Sequence, residues 1–247
     1  MGGLWKLTFV ELKLFLRDIG GAVFVLIFPL LMLIMFGSVY GNEPNPDFGG
    51  YGLLDITVPT LFGLIITIGS LFNLNVEIAT DREKGILRRL KATPLRPQTI
   101  LTARVLRIFL VTVLGIALLL LFGLGVYGLQ FHGNLFSFVA GFLFSCVSLF
   151  AFGFLLASIL PNSRTAQGVA MVLMFAMIFF SGVAMPSETL PANVLGFAEI
   201  LPLTHVSNLL KGLWLGNNWG EYIREIVVLA SIAIIGVVVS LKTFRWE

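Results

Sequence analysis

Residues 77–107 read EIATDREKGILRRLKATPLRPQTILTARVLR, and eight of the chain's sixteen lysines and arginines fall inside them. Long apolar runs lie on both sides. Lys and Arg are strongly biased to the cytoplasmic loops of membrane proteins, so a basic segment between two apolar stretches reads as such a loop. Working outward, 57% of the 247 residues are hydrophobic and 12% are charged, against about 25% charged in a soluble domain. The mean hydropathy is +0.98. The apolar runs approach the roughly 20 residues that a helix needs to cross a bilayer. They predict six spans, at about 22–40, 53–76, 108–127, 136–160, 167–185 and 226–241, with no room for a separate soluble domain.

The charges orient these spans. With the N-terminus inside, fourteen of the sixteen basic residues are cytoplasmic, and only Lys211 and Arg224 are outside. That asymmetry accounts for the net charge of +3 without a basic face for nucleic acid. The expected product is an all-α polytopic protein of the cell (inner) membrane with both termini cytoplasmic. Pro29 is expected to kink the first span. The segment GNEPNPDFGG (41–50) is an external turn. Lys242, Arg245 and Trp246 would anchor the tail at the interface.

Two segments do not read as spans. Residues 1–19 mix Leu4, Leu7 and Leu14 with Lys6, Lys13 and Arg17, and add Trp5 and Phe9, which suits an amphipathic helix lying in the cytoplasmic interface. Residues 186–220, PSETLPANVLGFAEILPLTHVSNLLKGLWLGNNWG, are too polar for a span and too apolar for a solvated linker. They read as a re-entrant helical hairpin in the outer leaflet, with helical stretches at about 191–200 and 203–215 divided by Pro202, and with Trp214 and Trp219 at the membrane interface.

Several chemistries find no support. The chain contains no GxxxxGK[ST] phosphate loop and no HExxH. His132 and His205 are expected as polar residues at the outer interface, and no metal site is expected. Cys146 is alone and reads as a small buried hydrophobe. No span carries a mid-bilayer charge of the kind that marks an ion relay. Asp55 and Glu77 sit near opposite ends of the second span. Asn73 and Asn75 suit bonds between helices. An intramembrane enzyme would need a convergent nucleophile and base, and an ion-coupled transporter would want buried charges and a repeat.

Within 77–97, Thr80 or Asp81 is placed to cap a helix over 82–92, with Glu83 at its positive end. Ile86, Leu87 and Leu90 then share one apolar face, Arg88, Arg89 and Lys91 lie near the C-terminal end, and Thr93-Pro94 stops the helix. Such an element could take force from a partner, or it could be a basic loop that fixes topology and binds anionic membrane lipid.

The pattern Glu77, Asp81-Arg82-Glu83-Lys84-Gly85, Leu87–Leu90 and Ala92-Thr93-Pro94-Leu95 resembles the E…REKGTLERLLATPL segment of ABC-2 type exporter permeases, in their drug and antibiotic resistance subgroup. Phe180-Ser181-Gly182, Pro186, Leu190-Pro191 and Leu201-Pro202-Leu203-Thr204 resemble that family's stretch before the last span. The resemblance covers essentially the whole chain as a single domain, 1–247. It implies that Glu77, Asp81, Arg82, Glu83, Lys84, Gly85, Ile86, Leu87, Arg88, Leu90, Thr93 and Pro94 form a coupling helix seated in a separate ATP-binding subunit. It also implies that Pro186, Pro191, Pro202, Leu203 and Thr204 shape a re-entrant hairpin. The implied assembly holds two ATP-binding chains, which carry the ATP and Mg, and a second permease copy, expected to be identical. It would export amphiphilic, drug-like or lipid-like substrates, with no cofactor in this chain. Ile86 and Arg88 depart from the family's commoner Thr and Glu.

Overall fold

The computed structural model describes residues 2–91, 97–184 and 196–243, and among them there is no strand. The helices in chain order are α1 (Gly2–Arg17), α2 (Gly20–Tyr40), α3 (Leu53–Glu83), the short α4 (Ile86–Lys91), α5 (Pro97–Tyr127), α6 (Leu135–Ile159), α7 (Ser163–Phe180), α8 (Pro202–Trp214) and α9 (Trp219–Thr243). Six of them, α2, α3, α5, α6, α7 and α9, are long and apolar enough to cross a membrane. The chain is a multi-pass, all-helical membrane protein.

The spans do not share burial equally. Every residue of α3 from Leu53 to Ile68 is buried, because α2, α5, α6, α7 and α8 all pack around it. α3 is the pillar, whereas α9 packs mainly on α6 and leaves most of its apolar surface outward, as a lipid-facing helix should. Close approach depends on Gly153 of α6, where an added Cβ would come within 2.6 Å of the Ser70 carbonyl oxygen in α3.

Two spans contain widened turns. Residues Val23–Ile27 of α2 are π-helical, immediately before Pro29 at the start of the next α-helical stretch. A proline ring crowds the carbonyl four residues back, and the wide turn makes room for it. In α3 the turns Gly69–Val76 are π-helical, and regular α-helix resumes at Glu77.

The second and third spans are longer than their apolar runs. α3 and α5 each hold 31 residues, about 46 Å at 1.5 Å per residue. A hydrocarbon core is about 30 Å thick. The surplus falls where Glu77–Glu83 and Pro97–Arg107 carry their charges.

At the opposite end Asn42 and Asp55 tie the loops together. Asn42 Oδ1 accepts from the Leu54 and Asp55 amides, and its Nδ2 donates to Asp55 Oδ1 at 3.1 Å. The same Asp55 oxygen accepts from the Gln130 amide at 2.9 Å. Asp55 is thus buried and bonded rather than reaching for water.

α8 has 13 residues, about 20 Å, too short to span. It packs against α3, α6 and α9 with Leu203, Val206, Leu209 and Leu210 fully buried. Thr204 Oγ1 lies 2.6 Å from the Ala198 carbonyl oxygen and 2.9 Å from Ser181 Oγ. Trp214 faces into the protein rather than outward. It is buried, edge-on to Phe62, Phe131 and Phe138 with centroids 4.9 to 5.7 Å away. His205 is likewise buried, with Nε2 2.9 Å from the Glu199 carbonyl oxygen. Pro186 and Pro191, and the tail anchors Arg245 and Trp246, lie outside the described residues.

Candidate functional site

The charged ends of α3 and α5 meet. Glu77 and Asp81 are four residues apart on α3, and Arg104 and Arg107 are three apart on α5, so each pair lies on one helix face. Arg104 Nη2 stands 2.5 Å from Asp81 Oδ2, and Arg107 Nη2 stands 2.5 Å from Glu77 Oε2. Arg107 Nε is also 3.6 Å from Glu11 Oε2 on α1, and its guanidinium lies over the Phe15 ring, 5.6 Å from the centroid. The two arginine side chains are 9% and 7% exposed. Burial raises the Glu11 carboxyl above its ordinary value, with Arg104 and Arg107 pulling the other way.

These five residues bolt α1, α3 and α5 together. Glu77 and Asp81, expected to belong to a partner-facing coupling helix, are turned inward. The sequence reading counted Arg104 and Arg107 only as topology charges and gave Glu11 no role. Each pair of like charges sits on one helix face, but no feature of a single sequence matches one pair to the other.

The next two residues reach a different loop. Arg82 donates to the Ala157 carbonyl at 3.1 Å and to the Leu160 carbonyl, so it closes the C-terminal end of α6. Glu83 accepts from the Ser163 amide at 3.0 Å and from Ser163 Oγ at 2.5 Å, placing an anion at the positive end of α7. Asn162 caps the same helix by accepting from the Thr165 amide at 2.8 Å.

The expected helix over 82–92 is not one element. Thr80 does not cap it; Thr80 Oγ1 donates to the Val76 carbonyl at 2.7 Å inside a helix that is already running. α3 continues to Glu83, and the chain then turns through Lys84 and Gly85. Gly85 has φ +67°, a left-handed value that a residue without Cβ reaches readily. Its amide donates to the Arg82 carbonyl at 3.0 Å.

α4 folds back onto the end of α3 and the start of α5. Leu87 is fully buried in the protein's own core, which corrects its expected placement against a partner. Lys84 and Arg89 are exposed, and Ile86 is half-buried. The side chains of Arg88 and Leu90, and residues Thr93 and Pro94, lie outside the described set.

An all-helical bundle with six candidate spans and a basic element tied beneath them defines a polytopic membrane protein. Residues 47–242 match the family described as ABC-2 family transporter protein, and the chain belongs to it. Over 173 residues it is 27% identical to YbhR of Escherichia coli strain K12, named as a probable multidrug ABC transporter permease, covering 70% of this chain and 46% of that one. Over 199 residues it is 21% identical to DrrB1 of Streptomyces coeruleorubidus, named as a daunorubicin resistance ABC transporter permease protein, covering 78% and 68%. Over 220 residues it is 25% identical to YvfS of Bacillus subtilis strain 168, named as a transport permease, covering 87% and 85%. The chain spans about half the length of the Escherichia coli relatives it matches. These names are those of transport subunits rather than enzymes.

Proposed function

We propose that the chain is the permease of an ATP-driven exporter in the cell (inner) membrane, with both termini in the cytoplasm. Two copies pair, and each docks one ATP-binding subunit, which carries the ATP and Mg and hydrolyses the nucleotide. Amphiphilic, drug-like or lipid-like substrates leave toward the outside. The observation that carries this reading is α4 itself. It is a short helix hung between two spans, anchored inward by Leu87, with Arg89 exposed on it and Lys84 exposed in the turn that leads into it. Arg82 and Glu83 extend its reach to α6 and α7, so a push on α4 would be felt by four spans.

Purification in mild detergent is expected to yield two permeases with two ATP-binding chains. The double variant Lys84→Glu, Arg89→Glu should reach normal membrane levels and lose those chains, because exposed charges contribute little to folding but direct association. Retention of the ATP-binding chains by that variant would move the docking surface elsewhere.

The topology has its own test. In a Cys146→Ser background, cysteines at Glu43 and Asn217 are expected to react with an impermeant thiol reagent applied to intact cells. A cysteine at Arg89 should react only after lysis, and its labelling from outside would invert the orientation.

A further inference from the structure

α1 holds to the bundle by one side. Thr8 and Phe15 are buried, and Glu11 and Phe15 meet Arg107 of α5. The other side is divided lengthwise into two stripes. Trp5, Phe9 and Leu16 are 61%, 68% and 51% exposed, and their spacing places them on one line along the helix. Lys6, Lys13 and Arg17 form the next line round, and all three are exposed. None of the three makes an ion pair among the described residues. Glu11, the one acid of the helix, is turned inward to Arg107, and Asp18 lies just beyond its end.

Two observations say what covers this side. Asp18 and Ile19 alone separate α1 from α2, a candidate span that begins at Gly20, so the C-terminal end of α1 is held at a bilayer surface. Val10 and Leu14, also exposed, border the basic stripe on its far side. The long cationic side chains therefore rise from apolar surface, as snorkelling residues do. The membrane interface meets both stripes at once, with acyl chains for the rings and phosphates for the cations.

We propose that the exposed side of α1 binds anionic phospholipid, with Trp5, Phe9 and Leu16 among the acyl chains and Lys6, Lys13 and Arg17 at the headgroup phosphates. The same contact presses Glu11 and Phe15 onto Arg107, so the lipid clamps the helix to α5. The ATP-binding subunit takes no part in it, and the inference stands apart from the permease reading.

Brominated lipids test this as fluorescence quenchers. A Phe9→Cys chain in a Cys146→Ser background is labelled with bimane and reconstituted in phosphatidylcholine nanodiscs without any ATP-binding subunit. The discs carry a small fraction of either phosphatidylglycerol or phosphatidylcholine brominated in the acyl chains. At equal fraction the phosphatidylglycerol is expected to quench about fivefold more strongly, the preference that one basic residue gives at an anionic contact. A label at Val172, exposed on α7, should be quenched equally by both. High salt should weaken the preference, and Lys6→Gln, Lys13→Gln and Arg17→Gln together should abolish it. That triple variant should melt like the parent in detergent, because exposed charges contribute little to folding. The parent should melt higher in discs containing phosphatidylglycerol than in phosphatidylcholine alone, and the triple variant should not. Equal quenching by the two lipids at Phe9 would overturn the headgroup preference. No quenching by either would mean a face reserved for a protein partner, and would overturn the lipid contact. A preference that survived both high salt and the triple substitution would remove the three cations from the site, and equal melting of the parent in the two discs would overturn the clamp. None of these results bears on subunit docking, so the two readings fail separately.

Discussion

Arg107→Met is expected to destabilise the protein by about 1.5 to 3 kcal/mol, the value of a hydrogen bond to a charged group, because water still reaches Glu77, whose side chain is 36% exposed. The substitution leaves Glu11, Glu77 and Asp81 facing a single guanidinium, that of Arg104. Thermal unfolding in detergent and steady-state levels in membranes measure the loss. The double variant Arg107→Met, Glu77→Met should recover most of it, because replacing both partners by apolar groups removes the unpaired charge. Glu11→Gln should be neutral or mildly stabilising. Its carboxyl titrates above the ordinary value in the folded state, so the folded chain holds that proton more tightly than the unfolded one. The Glu11 contribution therefore becomes more favourable as pH falls from neutral toward the usual carboxylate range. An Arg107→Met protein that melted like the parent would dismiss the network as a structural bolt.

Leu87→Asp should be at least as damaging, and for a different reason. Burying a leucine is worth about 1.5 to 3 kcal/mol, and the aspartate adds the desolvation of an unpaired charge. A total above about 3 kcal/mol is expected, seen as low membrane levels and early melting. Leu87→Met should cost less than about 1.5 kcal/mol. The contrast with the Lys84 and Arg89 reversals separates anchoring from docking. If Leu87→Asp accumulated and melted normally yet lost its ATP-binding chains, Leu87 would face the partner after all.

The span count was legible because each crossing needs its own apolar run, and six runs of that kind are present. The span ends were not. Glu77–Glu83 and Pro97–Arg107 are helical but charged, so composition changes before the helix does. Their charges are neutralised across two helices, by pairs 23 and 30 residues apart, and nothing in a single sequence marks that match. The amphipathic pattern of α4 announced an apolar face but not what it meets, so Leu87 was assigned outward when it points in. Thr80 offered a plausible cap, yet the helix was already under way. The stretch that forms α8 was legible as helix, whereas the burial of Trp214 was decided by three aromatic rings drawn from α3, α6 and the link before α6.

The enclosure of α3 also bears on how the chain is made. Of the helices that cover it, only α2 precedes it, and α5, α6, α7 and α8 are all synthesised after it. On entering the bilayer, the pillar must wait with Ser70, Asn73 and Asn75 uncovered in a medium that offers amides and hydroxyls no partners. The acceptors for Ser70 and Asn75 arrive with α6 and α7, on Leu149 and Ala166. Maturation is therefore a matter of late clothing rather than of insertion. A chain halted before residue 202 holds all but one of its candidate spans, with the apolar flank of its central helix still bare and open to pairing with the wrong neighbour.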